Sequence, residues 1–398
     1  MHNSFTNIEA NNISGTEPKL SKYRFTLILK KIPILQKVLN IAVSVLFYLV
    51  RLVSKLLSKE GKNIVIVSMH RLGDTVFTIP AIKEIIKNYT TDVYIVCNKD
   101  NAIVYNEIFP KLKYLILTED DFILSGRISK RRTRGIFNNL KPSTIFDLTG
   151  SVKSAFLLFN SPAREIIGAN DEHFKAIYSH FTSARKTPHL IDAYLDIVKT
   201  KFKIENDIKA KEFKSNFNRE GKILIHPFGG WAAKEWELEK FILLTKKLNQ
   251  DYNLEIITPP NAINLDSMLE NELQDILVSE TNTITDLIKK IKESSVFIGN
   301  DSGPLYLANM LGKPTFTIYG PTNPDYSVPF GENHEFINKT IECSPAKDKQ
   351  YCFTNAGRFG CPAFKCMELL GVDEVYDKLL PFVQKHCNKR IMNLASYN

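Results

Sequence analysis

Past Gly61 the chain alternates short β-branched runs with stretches whose apolar residues recur at helical spacing. Asn63–Ser68 (NIVIVS), Val93–Cys97 (VYIVC), Tyr114–Thr118 and Thr144–Leu148 read as strands. Apolar runs without alternation mark strands covered on both faces. Ile79, Ile82, Ile85 and Ile86 predict a helix after the first strand, Ser151–Phe159 a short one and His189–Thr200 a longer one. A second cycle has strands at Lys222–His226, Leu254–Ile257, Val296–Gly299 and Thr315–Tyr319, with helices over Glu237–Leu248 and Pro304–Leu311. The charged, aperiodic stretch 204–221 reads as a linker. Strands alternating with helices predict parallel sheets. The expected class is α/β: two Rossmann-like domains, 63–203 and 222–385, facing across a cleft, then a tail at 386–398. Ligands of such sheets bind beyond the carboxyl ends of the strands.

Residues 1–62 break this rhythm. Residues 1–18 are polar and Asn-rich, a composition that predicts disorder. Ile32–Leu57 is apolar, but Lys37, Arg51 and Lys55 interrupt it, and the longest uncharged run, Val38–Val50, has thirteen residues. A bilayer core needs about 20. Counted from Ile32 with Lys37 near one end the run reaches 19, which a snorkelling lysine would permit. The favoured expectation is an amphipathic helix lying on a membrane surface, its basic residues reaching for anionic headgroups. The alternative is a helix packed on the protein body or on a partner. A cleaved signal peptide is disfavoured, because the apolar segment starts late and no small-residue cleavage site follows it.

Charge separates the same two regions. The 398 residues carry 52 Lys plus Arg against 43 Asp plus Glu, a net of +9. Residues 1–62 hold ten basic and three acidic side chains, a net of +7, so the body carries only +2. A nearly neutral body argues against a nucleic-acid partner, which calls for a basic face on the folded domain. Hydrophobic content of 44% and charged content of 24% fit a folded chain of roughly two domains.

Three loops hold the candidate chemistry. In residues 70–80 (HRLGDTVFTIP) Gly73 permits a tight turn and Asp74 or Thr75 starts a helix. Asp74 reads equally as an N-cap or as a general base facing the cleft. In residues 226–241 (HPFGGWAAKEWELEKF) Gly229 and Gly230 let backbone approach a ligand, Lys234 offers a point charge and Trp236 an apolar plate. The plain alternative is a flexible connection with a solvated lysine. In residues 296–324 a strand ends at Asn300-Asp301, and Ser302-Gly303-Pro304 opens a helix. Free N–H groups and the positive dipole end there form a diphosphate cradle, although ordinary capping uses the same residue types. Gly320-Pro321-Thr322 adds a second polar rim.

In this order the motifs resemble glycosyltransferase family 9, the heptosyltransferases of bacterial lipopolysaccharide synthesis, over roughly residues 63–385. The resemblance implies a GT-B fold, with acceptor on the first domain and nucleotide-sugar on the second. It implies inverting transfer that needs no metal or other cofactor. By the same resemblance Asp74 is the base and Lys234 neutralises the departing diphosphate. Asp301, Ser302, Gly303, Pro304, Tyr306, Gly229, Gly230, Trp236 and Thr322 serve the donor. His70, Arg71 and Gly73 are the expected acceptor residues, and Arg131 and Arg132 are further candidates from the basic run 130–134. The default partners are ADP-heptose, a lipopolysaccharide core and an anionic membrane, at the cytoplasmic face of the inner membrane. Two departures stand out: Tyr306 where many relatives have His, and Thr258-Pro259-Pro260-Asn261 where relatives show a glycine-containing loop. They leave open another donor sugar, a protein acceptor, or a membrane-tethered binder without turnover. A nucleotide-sugar epimerase would also use two facing domains, but it needs a second acid–base set that is not found.

Two clusters remain. Cys343, Cys352, Cys361 and Cys366 fall within 24 residues. They are candidates for disulfides, for a structural Zn or Fe, or for reduced structural thiols. Their spacings lack the tight pairs of common zinc sites, and a cytosolic enzyme disfavours disulfides. Some related protein heptosyltransferases hold iron on cysteines. The basic run 130–134, with Arg131 and Arg132, reads as a solvated face or as a contact to acceptor phosphates.

Overall fold

The computed structural model of the chain describes residues 33–57, 61–123, 128–129, 131–183, 188–204, 215–216, 218–260, 262, 276–352, 361 and 364–390. The polar segment 1–18 and most of the linker 204–221 lie outside these residues, as do the side chains of Arg131 and Arg132.

The first half holds strands β1 (Asn63–Val67), β2 (Val93–Cys97), β3 (Lys113–Ile116), β4 (Pro142–Asp147), β5 (Glu165–Asn170) and β6 (His180–Ser183). The second holds β7 (Lys222–His226), β8 (Leu254–Thr258), β9 (Leu277–Glu280), β10 (Ser294–Asn300), β11 (Thr315–Tyr319) and β12 (His334–Asn338). Each set forms a parallel six-stranded sheet, ordered β3-β2-β1-β4-β5-β6 and β9-β8-β7-β10-β11-β12. Both orders are the doubly wound pattern, in which the chain reverses direction beside the first strand and opens a crevice there. The α/β class with two Rossmann-like sheets is as expected. The strands missing from the sequence reading, β5, β6, β9 and β12, are mostly peripheral: β6, β9 and β12 sit at or near sheet edges, where half-exposed strands need no apolar run.

Helices α1 (Pro33–Leu56), α2 (Leu72–Lys87), α3 (Lys99–Ile108), α4 (Arg131–Leu140), α5 (Val152–Leu158) and α6 (Leu190–Lys199) accompany the first sheet. Helices α7 (Leu238–Asn249), α8 (Ile284–Glu293), α9 (Gly303–Met310) and α10 (Val372–His386) accompany the second. One buried cluster runs through both halves, joining Ile66, Phe77 and Phe146 to Phe297, Leu305 and Tyr306. Its hinge point is α2 against α9. A Cβ on Gly303 would come 2.8 Å from the Leu72 Cβ, and one on Gly73 would come 3.2 Å from the Tyr306 ring. Gly303 therefore lets the two helix starts meet, and a side chain at position 73 would press on the Tyr306 ring. Phe77 packs on Tyr306 at 4.7 Å, His189 Nε2 contacts the Val328 carbonyl at 3.1 Å, and Lys292 pairs with Glu107 at 2.5 Å across the same junction.

Helix α1 is a helix as expected, but its contacts correct one expectation. Arg51 does not reach outward. It is buried, and its guanidinium donates to the Ser161 and Ala163 carbonyls at 2.7 and 2.8 Å. Burial pulls its pKa down to about 10. Phe47, on the same face, nests among Phe156, Phe159 and Phe174 at 5.3 to 5.7 Å. The opposite face is apolar and open: Leu46, Leu49, Val53 and Leu56 are 51 to 76% exposed. Among the described residues no helix is long and apolar enough to cross a membrane.

Candidate functional site

The first loop leaves β1 under tight control. Thr149 Oγ1 accepts the Met69 N–H at 3.0 Å, and the Leu148 carbonyl holds His70 Nε2 at 3.0 Å. Asp147, at the end of β4, stiffens the holder by accepting the Thr149 and Gly150 N–H groups. The ring of His70 is thus oriented by its own sheet, and burial lowers its pKa although the nearby Asp74 charge opposes this. The chain then enters α2, whose N-cap is Arg71, with no side-chain capping bond. Asp74 stands in the first turn and is not the cap. Among the described residues its carboxylate makes no hydrogen bond or ion pair.

In the second half the third loop ends β10 at Asn300 and starts α9 behind Ser302, with Pro304 in its first turn. Asp301, 2% exposed in its side chain, lies 2.5 Å from the Lys234 Nζ, and Tyr306 donates its O–H to the other carboxylate oxygen. Burial alone would raise this carboxyl. The Lys234 charge, with the hydrogen bond from Tyr306, outweighs burial and holds it below the ordinary range. Tyr306 thus spends its hydroxyl on Asp301 and its ring on Phe77, and burial raises it well above the ordinary tyrosine value. The Ser302 hydroxyl is buried without a hydrogen-bond partner among the described residues.

The middle loop supplies Lys234, whose ammonium also lies 4.6 Å from the Trp231 ring and 5.7 Å from the Tyr351 ring. Here two expectations change. Trp236 is no plate for a ligand: it is 1% exposed in the core of the second half, and its indole N–H donates to the Leu370 carbonyl. Gly229 serves the loop itself, its N–H donating to Glu235 Oε1 at 2.9 Å in a place where a Cβ would touch that side chain. Gly230 faces open space and can admit a ligand to its backbone.

These residues meet in one cavity of about 150 Å³ between the halves. Arg71, Gly73 and Asp74 line it from the first half; Gly230, Lys234, Asp301, Ser302, Gly303, Tyr306 and Thr322 line it from the second. His70, Gly229 and Trp236 do not line it. Pro304 instead lines a neighbouring space of about 560 Å³, with Leu72, His226, Pro259, Pro260 and Thr283 among its other walls. Trp231, Gln350 and Tyr351 also line the smaller cavity and were missed. Trp231 directly follows the Gly229-Gly230 pair and could have been read from that position; Gln350 and Tyr351 carry no local signal.

Cys352 and Cys361 are half-buried, Cys366 is buried and Cys343 is exposed. Burial and the neighbouring thiols of Cys343, Cys361 and Cys366 push Cys352 up to about 11. The four therefore lie within electrostatic reach of one another. Among the described residues, however, no three His, Cys, Asp or Glu side chains gather as a metal-ligand set.

The profile of glycosyltransferase family 9 (heptosyltransferase) matches residues 138–356, more than half of the chain. The chain belongs to this family and is a glycosyltransferase. It is 24% identical over 329 residues to lipooligosaccharide heptosyltransferase 2 of Campylobacter jejuni, covering 77% of this chain and 94% of that protein. It is 26% identical over 318 residues to lipopolysaccharide heptosyltransferase 1 of Campylobacter coli, covering 70% and 89%. Its fold is similar to that of the E. coli ADP-heptose lps heptosyltransferase II, with a TM-score of 0.63 at 13% identity over 81% of this chain and 99% of that one. The fold is GT-B.

Proposed function

We propose that this glycosyltransferase moves heptose from ADP-heptose to a lipopolysaccharide core by one inverting displacement, with the acceptor on residues 63–203 and the donor on 222–385. What supports the reading is that an uncommitted carboxylate, Asp74, and a cation held by a counterion, Lys234, face a single cavity from opposite halves. Asp74 takes the proton of the acceptor hydroxyl as that oxygen forms its bond to the anomeric carbon. The bond from that carbon to the diphosphate breaks, and the electron pair leaves with the phosphate oxygen. The Lys234 ammonium carries three N–H donors, and the first N–H groups of α9 add theirs, so the leaving charge is received without reorganisation. Ser302, with its unpartnered hydroxyl, supplies another donor. The wider neighbouring space, walled by Pro259, Pro260 and Pro304, takes the nucleoside. No cofactor enters the reaction.

The open face of α1 sets the enzyme on the anionic cytoplasmic surface of the inner membrane, where a lipid-linked acceptor resides. The apolar area supplies the adhesion and the basic surplus of residues 1–62 the electrostatic attraction. The test of function is a panel of nucleotide-sugars offered to purified protein with and without core acceptor. Heptose transfer from ADP-heptose is expected; transfer from a different donor alone, or binding without any transfer, would overturn the reading.

A further inference from the structure

Beyond β12 the chain turns back over the active cavity. The Asn323 N–H donates to the Gln350 carbonyl at 2.9 Å, the Cys352 N–H donates to the Pro321 carbonyl at 3.1 Å, and Thr322 forms an antiparallel bridge with Tyr351. These links staple the first part of the cysteine-bearing segment to the Gly320–Asn323 loop, so that Gln350 and Tyr351 become cavity wall. The Tyr351 ring meets the Trp231 ring edge to face at 5.5 Å and 65°, and the Lys234 ammonium lies near both. Two aromatic rings from distant parts of the sequence thus flank the Lys234 ammonium.

We propose that Trp231 and Tyr351 form an aromatic subsite for the sugar of the donor, brought into place by the cysteine-bearing segment. The inference rests on the nucleotide-sugar reading above and names where that donor's sugar lies. The division of space carries it. The larger cavity, with prolines and aliphatic side chains, has room for a nucleoside, whereas the smaller one holds Asp74, Lys234 and both rings. A sugar presents C–H groups on its ring faces and hydroxyls at its edge. The C–H groups match an aromatic surface, and the Gln350 amide can both donate to and accept from a hydroxyl. Tyr351 therefore acts on the sugar directly.

Calorimetric titration of wild type, Tyr351→Ala and Tyr351→Phe with ADP and with ADP-heptose tests this. In Tyr351→Ala the affinity for ADP-heptose is expected to fall about tenfold, the equivalent of one aromatic contact, while ADP affinity stays within about twofold. Tyr351→Phe keeps the ring and is expected to remain near wild type for both ligands. Unchanged ADP affinity also shows that the alanine variant is folded. The subsite is overturned if Tyr351→Ala binds ADP-heptose as wild type does, or if it loses both ligands equally, since the side chain would then serve the loop or Lys234 and not the sugar. Wild type that binds neither ligand would overturn the donor reading itself, and the subsite with it.

Discussion

Asp74 and Asp301 reach one cavity from the two halves by different routes. Asp74 stands in the first turn of α2, after the first strand of its sheet, and Asp301 in the turn between β10 and α9, while Gly73 and Gly303 lie where the two helix starts meet. Their surroundings differ. Asp301 is buried, paired with the Lys234 ammonium and hydrogen-bonded by Tyr306. Asp74 makes no hydrogen bond or ion pair among the described residues, and a titratable group near its charge is His70. Two carboxylates on one cavity therefore differ in their partner: Asp301 is held by the cation opposite, Lys234, and Asp74 is not.

The largest effect should come from removing the free carboxylate. Asp74→Asn is expected to lower kcat by about 10²- to 10⁴-fold, the range of general-base catalysis, with donor affinity within about twofold of wild type. Transfer rates and calorimetric donor binding check both halves of that statement, and retained transfer would remove Asp74 as the base.

Breaking the pair should damage stability as well as rate. Lys234→Met leaves Asp301 as a buried, unpaired charge, at a cost of about 3–5 kcal/mol in denaturant unfolding, and lowers kcat by about 10²- to 10³-fold. Adding Asp301→Asn is expected to restore much of the stability without the activity. If the double variant is no more stable than the single one, the charge was not what the lysine compensated.

A third carboxylate sharpens the contrast. Asp147 is fully buried with hydrogen bonds but no cation, and burial pushes it up to about 6. Its folded pKa lies above the unfolded value near 3.9, so the native state binds the extra proton. Its contribution to stability is full below about pH 4 and declines as pH rises through about 6, by about 3 kcal/mol in all. Asp147→Asn keeps an oxygen for the Thr149 and Gly150 N–H groups. The stability difference between variant and wild type should shift in the variant's favour across that interval, measured by urea melts at fixed pH steps. A pH-independent difference would contradict the raised pKa.

The smallest stability effect is expected on the outer face of α1. Leu46→Glu with Leu49→Glu and Val53→Glu should change stability by about 0.5 kcal/mol or less per site, yet release the protein from anionic vesicles in flotation assays. Vesicle binding that survives all three would remove the surface role. Deleting residues 1–60 is a poorer test, because it strips Phe47 and Arg51 from the first domain and uncovers Phe156, Phe159 and Phe174.

Much of the architecture was legible because its central strands are buried on both faces. Val93–Cys97, Lys222–His226 and Thr315–Tyr319 have the bounds their apolar runs predict. Helix α8 was overlooked although its start carries a readable capping box, Thr283 with Asp286. The three loops pointed to Asp74, Lys234 and Asp301 through glycines and helix starts. Which of two tryptophans faced the ligand did not follow from residue type. Trp236 precedes a helix and turns into the core, while Trp231 stays on the loop beside Lys234. Tyr351 was out of reach because its place depends on backbone pairing with a loop far earlier in the chain.

Arg51 and Phe47 make α1 a fixed part of the first domain and not a leash. On the membrane surface proposed above, a leash would let the enzyme tumble over the bilayer and search a volume. A welded helix would instead hold the cleft at one height and one tilt, and meeting a lipid-borne acceptor would become a search in a plane.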